Sequence, residues 1–278
     1  MLNISRKEFA DLIISRLKEE KVDSLKTNYQ DSSKINYLII DNLLPEDLAS
    51  SLDKDFPNKN HLKLRSETQE RKYIASNWKS KSKLVEECLF SFQEERVLQK
   101  IAKICSIKDL TGDPELYAGG ISFMNKDCFL NPHIDNSHDR LRKKYRRLNL
   151  LYYVTKDWDS KENGGELLLY PNGIKKDPIV IETKFNRLVI MRTDNKSLHA
   201  VKKIKSINNG RKCISNYYFS LSSPSGSNYY HSTSFRGFKD EKIKDIYFRV
   251  NALARTSLKT ITGNFFGKFI NTGHHKKN

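Results

Sequence analysis

The chain has 278 residues, of which 30% are charged and 37% hydrophobic, and a formal net charge of +17. This is enough chain for one or two domains with a sizeable core. No run approaches the ~20 apolar residues of a membrane span, and "MLNISRKEFADLIISRLKEEK" holds no apolar segment long enough for a signal peptide. The positive excess says nothing of fold but favours anionic partners: nucleic acid, a phospholipid surface, or a phosphorylated or carboxylated substrate. Cys88, Cys105, Cys128 and Cys213 form no C-x-x-C pair, which excludes a zinc ribbon or redox motif and predicts reduced thiols in a cytoplasmic protein.

Phe9, Leu12, Ile13 and Leu17 recur at helical spacing and predict an amphipathic helix. The polar stretch 23–34 reads as a loop, and "INYLII" (35–40) as a strand. "DNLLPEDLASSLDKDFP" predicts a helix with Pro45 in its first turn and Pro57 beyond its end. Leu84, Cys88, Phe92, Val97, Ile101 and Ile104 predict a helical segment over 82–105. From about 114 the texture changes to short β-rich runs: "LYAGGISFM", "RLNLLYYV", "GELLLY", "DPIVIE", "NRLVIM" and "RKCISNYYFSL". They are separated by the turn signals "KENGG", "PNG" and "NNG". Helices first and strands after predict an α+β fold: a jelly-roll core with flanking N-terminal and C-terminal helices. From 236 the pattern is helical again. Ile243, Ile246, Tyr247, Val250, Leu253 and Leu258 form an apolar stripe among Lys239, Lys242, Lys244, Arg249, Arg255 and Lys259. Gly263 and Gly267 bracket "NFFGKFI", and the tail ends in His274, His275 and further lysines.

Three regions of one molecule are expected: a helical and strand support over 1–110, the catalytic core over 111–223, and a basic amphipathic extension over 224–278.

Chemistry concentrates in "NPHIDNSHDRLRKKYRR". On an extended strand, residues i and i+2 point the same way, so His133 and Asp135 can serve one metal. "SLHAV" supplies His199 as a third ligand. Two histidines and a carboxylate on one face of a metal, with the other face open, form the facial triad of non-haem iron oxygenases. Arg211 opens a strand after a turn, and a guanidinium suits a carboxylate. His138, Arg140, Arg142, Lys143, Lys144, Arg146 and Arg147 follow Asp135 directly. They are expected at the rim of the site, with His138, Arg140, Arg142 and Arg146 as candidate contacts to an anionic substrate. Asp139 is read as an ion-pair partner of that basic run, His61 and His231 as ordinary polar residues, and Gly164 and Gly165 as a tight turn.

These motifs together resemble the Fe(II)/2-oxoglutarate-dependent dioxygenases, in particular the prolyl-4-hydroxylase-like branch. "LIIDNLLPEDLASSL" looks like the entry strand and helix, "NPHID" like the metal motif, and "RLNLLYYV" with "ENGGELLLY" like the strand–GGE–strand segment. "NRLVIMRTDNKSLHAVKKI" looks like the distal-histidine segment, and "NGRKCISNYYF" like the arginine strand. The resemblance implies a double-stranded β-helix fold, with His133, Asp135 and His199 holding Fe(II). Arg211 would bind the distal carboxylate of 2-oxoglutarate, and Asn149 would face that cosubstrate. It further implies O2 as oxidant and ascorbate as an accessory reductant. 2-Oxoglutarate would be decarboxylated to succinate while substrate gains a hydroxyl group.

Prolyl-hydroxylating relatives commonly carry tyrosines at the positions held here by Met124 and Leu130, which counts against a prolyl substrate and leaves the hydroxyl partner of 2-oxoglutarate open. "HIDNSHDR" is similar to Kdo (3-deoxy-manno-octulosonic acid) hydroxylases. The favoured substrate is therefore an anionic sugar or glycolipid of cell-surface polysaccharide synthesis, met by a protein at the inner face of the cytoplasmic membrane. The basic C-terminal stripe would contact that membrane peripherally, or else pack on the core. A peptidyl, prolyl-type hydroxylase is the alternative. A nucleic-acid demethylase is disfavoured because Tyr217 stands where a second arginine is usual. A non-enzymatic nucleic-acid-binding module lacks a recognisable motif.

Overall fold

The computed structural model describes residues 3–75, 82–206 and 209–261, with residues 255–261 as backbone only. Leu258, Gly263, Gly267, "NFFGKFI", His274 and His275 therefore lie outside the described side chains.

The chain opens with α1 (Arg6–Glu19). Ser5 caps it reciprocally: its hydroxyl accepts from the Glu8 N–H, and the Glu8 carboxylate accepts from the Ser5 N–H. The expected apolar stripe buries Phe9, Ile13 and Leu17. Next come α2 (Val22–Asp31), β1 (Tyr37–Ile40), α3 (Glu46–Asp55), and the hairpin β2 (Lys63–Glu67) and β3 (Glu70–Ile74). Then follow α4 (Lys83–Ser91), α5 (Glu95–Cys105), β4 (Gly120–Met124), β5 (Phe129–Ile134), β6 (Tyr145–Tyr153) and α6 (Ser160–Asn163). The core ends with β7 (Leu167–Leu169), β8 (Ile179–Ile181), β9 (Arg187–Arg192), β10 (His199–Val201) and β11 (Arg211–Ser220). A short β12 (Ser234–Phe235) and the helix α7 (Lys242–Ile261) complete the described chain.

Two local expectations are corrected and one element is new. Residues 23–34 are mostly helix, not loop. Their composition is polar, but Leu25 and Tyr29, one turn apart, are buried, and α2 packs along α5. The hairpin β2–β3 was not foreseen because few of its residues are buried, so no alternating apolar pattern marks it. Its one deeply buried charge, Glu70, is held between Arg65 at 2.7 Å and Lys72 at 2.9 Å. The helical segment 82–105 is broken at Phe92–Glu94. There the Phe92 carbonyl accepts from the Tyr218 hydroxyl, and the Gln93 side chain accepts from the Asp113 N–H at 2.7 Å and donates to Asn216. These tertiary bonds take the place of helix over the three residues between α4 and α5. At Pro45 the difference is small: it forms the N-cap of α3, one place earlier than the first turn.

Every strand pairing is antiparallel, in the order β1-β9-β6-β11-β4-β3-β5-β10-β7-β8, with β2 added to β3 and β12 to β5. The sheet curls on itself, with β1-β9-β6-β11-β4 along one wall and β5-β10-β7-β8 along the other. The result is the expected jelly-roll in an α+β fold. Alternation along the strands divides its contents. Leu148, Leu150, Tyr152, Leu188, Ile190, Ile214 and Tyr218 face outward into one apolar cluster with α1, α4 and α5. Tyr153, Val189, Met191 and Cys213 face the interior with Leu167 and Leu169. The N-terminal helices thus form a backing layer on one wall. The other wall, and the interior between the two, is left for chemistry.

Candidate active site

β5 and β10 lie side by side with His133 directly opposite His199, their ring centroids 4.1 Å apart. Asp135 sits just past the end of β5. One ligand atom from each of His133, Asp135 and His199 lies within 4.8 Å of the others. The His133 Nε2 is 3.6 Å from Asp135 Oδ1, and the His199 Nε2 is 3.9 Å from Asp135 Oδ2. Each histidine places its Nδ1 2.9 Å from a backbone carbonyl, Asn131 for His133 and Ser197 for His199. A carbonyl only accepts, so Nδ1 carries the hydrogen and both Nε2 lone pairs face the cluster. Burial, then His133, holds the His199 pKa down at about 4, so it stays neutral at physiological pH. Burial opposes ionisation of Asp135, but the Arg146 guanidinium outweighs it and holds its carboxyl well below the usual range. Its Oδ2 is buried with no hydrogen-bond partner among the described residues. Two unprotonated nitrogens, one ionised carboxylate and an orphaned oxygen fit a divalent metal such as iron.

Arg146 is 2% exposed, with its Nη1 3.5 Å from Asp135 Oδ1. Its guanidinium lies 4.0 Å from the Tyr217 ring centroid, and its Nε and Nη2 have no hydrogen-bond partner among the described residues. Tyr217 receives the Asn149 side-chain N–H at 3.2 Å, while the buried Asn149 Oδ1 has no hydrogen-bond partner among the described residues. Burial first, then the Asp135 charge, pushes the Tyr217 pKa far up, so it stays a neutral phenol.

Arg211, also 2% exposed, opens β11 on the same interior. Its Nε donates to Thr183 Oγ1 at 3.2 Å, and Thr183 in turn donates to the Gly165 carbonyl at 2.7 Å. The guanidinium centre lies 4.7 Å from the Tyr153 ring centroid, and the buried Tyr153 hydroxyl has no hydrogen-bond partner among the described residues. Burial pushes the Tyr153 pKa up to about 12, so it stays a hydroxyl donor. No described carboxylate pairs with Arg211. A buried cation beside an idle hydroxyl is suited to an incoming carboxylate. Tyr153 is thus a candidate for the hydroxyl partner that the sequence left open. The signal was the second tyrosine of "LLYYV", which alternation turns inward.

Gly165 explains the "GG" turn. At φ +84°, a Cβ there would meet Ile204 Cδ1 at 2.6 Å and Arg211 Cδ at 3.0 Å. Gly165→Ala is expected to lower stability by about 1–3 kcal/mol and to displace Arg211. Thermal melting together with titration of 2-oxoglutarate checks both.

The basic run does not act as one rim. Arg146 and Arg147 alternate to opposite faces of β6, and Arg147 Nη1 donates to Ser220 Oγ at 3.1 Å and the Ser222 carbonyl at 2.8 Å. Lys144 Nζ donates to Thr111 at 3.2 Å. Asp139 is a turn residue rather than an ion-pair partner: its carboxylate accepts from the backbone N–H groups of Lys143 and Lys144 at 2.7 and 3.2 Å. Arg140 is exposed, 3.7 Å from Glu115. Arg142 stacks over Tyr230 at 4.3 Å. His138 is buried against Tyr145, with ring centroids 4.4 Å apart. His61 is exposed in a short 3-10 turn.

His231 was read as an ordinary polar residue, yet it reaches the site's edge. Its carbonyl accepts from the Ser137 N–H at 3.0 Å, and its N–H donates to Ser137 Oγ at 3.0 Å. Its Nε2 is buried and unpaired among the described residues. Nothing in the sequence places it there, because the contact comes from the chain folding back after β11. One step further on, Phe235 pairs with His133 and stacks on its ring at 5.3 Å.

Comparison with known proteins agrees with this geometry. Residues 119–220 match the 2OG-Fe(II) oxygenase superfamily. Egl nine homolog 1 of Rattus norvegicus is 30% identical over 109 residues, 39% of this chain but only 30% of the rat protein. The same protein of Homo sapiens is 30% identical over 109 residues, 24% of its length. Among solved structures, a prolyl 4-hydroxylase of Phytophthora capsici aligns with TM-score 0.55 at 17% identity, covering 95% of this chain and 81% of that one. A Pseudomonas putida prolyl-4-hydroxylase aligns with TM-score 0.50 at 16% identity, covering 73% of this chain and 100% of that one. At such identities the structures establish the fold. Residues 119–220, which carry His133, Asp135, His199 and Arg211 on the two facing walls of the jelly-roll, are therefore a 2OG-Fe(II) oxygenase superfamily domain.

Proposed function

We propose that the protein is an iron- and 2-oxoglutarate-dependent hydroxylase acting on a side chain of a peptide. One observation carries the chemistry: His133, Asp135 and His199 converge within 4.8 Å, with both Nε2 atoms free to ligate. A non-enzymatic nucleic-acid module would give these three groups no reason to meet. The peptide reading is supported by the two fold relatives that act as prolyl 4-hydroxylases. Against prolyl itself stand Met124 and Leu130.

When bound, iron and 2-oxoglutarate supply O2 activation, with one oxygen atom going to succinate and the other to a substrate C–H bond. The chain's own residues do the positioning. The backbone carbonyls of Asn131 and Ser197 fix the two imidazole tautomers. Arg146 holds Asp135 ionised. Arg211, steadied by Thr183, would take the distal carboxylate of 2-oxoglutarate with the Tyr153 hydroxyl. The interior wall of Leu167, Leu169, Val189 and Met191 keeps bulk water out.

A second reading is an anionic sugar or glycolipid, of the Kdo type. It is favoured by Arg146, whose Nη1 lies 3.5 Å from Asp135 Oδ1 and whose buried Nε and Nη2, without a hydrogen-bond partner among the described residues, suit a carboxylate. Protein loaded with Fe(II), 2-oxoglutarate and ascorbate should be offered a panel of proline-containing peptides and a panel of carboxylated sugars. The peptide reading predicts succinate formed in step with one oxygen atom gained by a peptide. Oxygen gain only in an anionic sugar would transfer the assignment to the second reading.

A further inference from the structure

Over its described side chains, α7 is fixed to the body by one face. Phe248, 4% exposed, packs on Phe235, which packs on His133. Asp245 accepts both prongs of Arg236 at 2.6 and 2.9 Å, and Lys244 reaches Glu241 at 2.8 Å. The opposite face is bare. Ile243 is 86% exposed, Ile246 61%, Tyr247 58%, Val250 62% and Leu253 70%. Their spacing of three and four residues puts them in one stripe. They are five of the ten large apolar side chains exposed among the described residues, so this is a patch rather than scatter.

Charge decides what covers it. Lys242 and Arg249 are exposed and border the stripe. The one acidic residue between 242 and 254 is Asp245, which is turned inward and bonded to Arg236. The sequence continues with Arg255 and Lys259, and the whole chain carries +17. A second copy of the helix would set these like charges against each other with no acidic flank to answer them. No helix among the described residues is long and apolar enough to cross a membrane. An anionic surface with an apolar interior satisfies both the stripe and its border.

We propose that α7 docks the protein in the plane of an anionic phospholipid bilayer, with Ile243, Ile246, Tyr247, Val250 and Leu253 entering the acyl boundary. Because Phe248 leads through Phe235 to His133, docking holds the β5 side of the site near the lipid surface. The inference is independent of the substrate reading.

The test is co-sedimentation of the full chain with vesicles of phosphatidylglycerol and phosphatidylcholine, and with phosphatidylcholine alone, at low and physiological salt. Binding should favour the anionic vesicles and fall with salt without vanishing, since the apolar part is not screened. The double substitution Ile246→Ser/Val250→Ser should reduce binding at least about tenfold while leaving the thermal melting curve in place. Four outcomes would overturn the proposal: no binding at low salt, equal binding to neutral vesicles, unchanged binding of the double variant, or a wild-type dimer that the double variant converts to monomer. The last would make a second copy the true occupant.

Discussion

Asp135→Ala is expected to hold Fe(II) at least about 100-fold more weakly than the parent, because even replacing a group that merely orients a metal ligand costs roughly 10–100-fold in metal affinity. Succinate formation should fall to background. The reason is local. The substitution removes the one anionic group that the cluster offers and leaves Arg146, 2% exposed, with its cation facing the same space. A buried charge stripped of its partner also destabilises the fold, by about 3–5 kcal/mol. The two effects separate in a double variant. Asp135→Ala/Arg146→Met should recover most of the melting temperature and none of the iron affinity, read by equilibrium dialysis under anaerobic conditions. Recovery of iron binding in the double variant would mean that Arg146 repulsion, not ligand loss, governs the metal.

Arg211→Ala should weaken 2-oxoglutarate binding by about 3 kcal/mol or more, since each charge-assisted hydrogen bond is worth about 1.5–3 kcal/mol and a guanidinium engages a carboxylate through two. That is roughly a hundredfold in Kd. Iron affinity should change little, because Arg211 touches Thr183, Met124 and Tyr153 rather than the three converging ligands. Arg211→Lys should fall between, keeping the charge but losing the fork. Titration of the metal-to-ligand charge-transfer band measures all three proteins. Equal affinity of the alanine variant and the parent would place the carboxylate elsewhere in the fold.

The parts of this protein that were legible in its sequence are those where local pattern and tertiary role agree. The strands from β4 to β11 announce themselves because one face of each is apolar and turns punctuate them. "NPHID" and "SLHAV" could be joined because ligand chemistry asks for a third group. What was hidden depends on contacts between distant segments. α2 is helical through two buried side chains that its polar neighbours mask. The break at Phe92–Glu94 is made by Tyr218, Asp113 and Asn216, none of which is near it in sequence. His231 meets Ser137 only because the chain returns over the site. The basic run misled for a simpler reason: a contiguous block of charge on and beside a strand is split between two faces, so Arg146 enters the site while Arg147 leaves it.

The central claim is that His133, Asp135 and His199 bind iron together and that 2-oxoglutarate then joins it with its distal carboxylate on Arg211. Anomalous diffraction at the iron edge, from crystals grown anaerobically with Fe(II) and 2-oxoglutarate, tests it most directly. The account predicts a single strong peak bonded to the Nε2 atoms of His133 and His199 and to an Asp135 oxygen, with 2-oxoglutarate running from that peak to Arg211. A peak elsewhere, or 2-oxoglutarate bound away from Arg211, would contradict it.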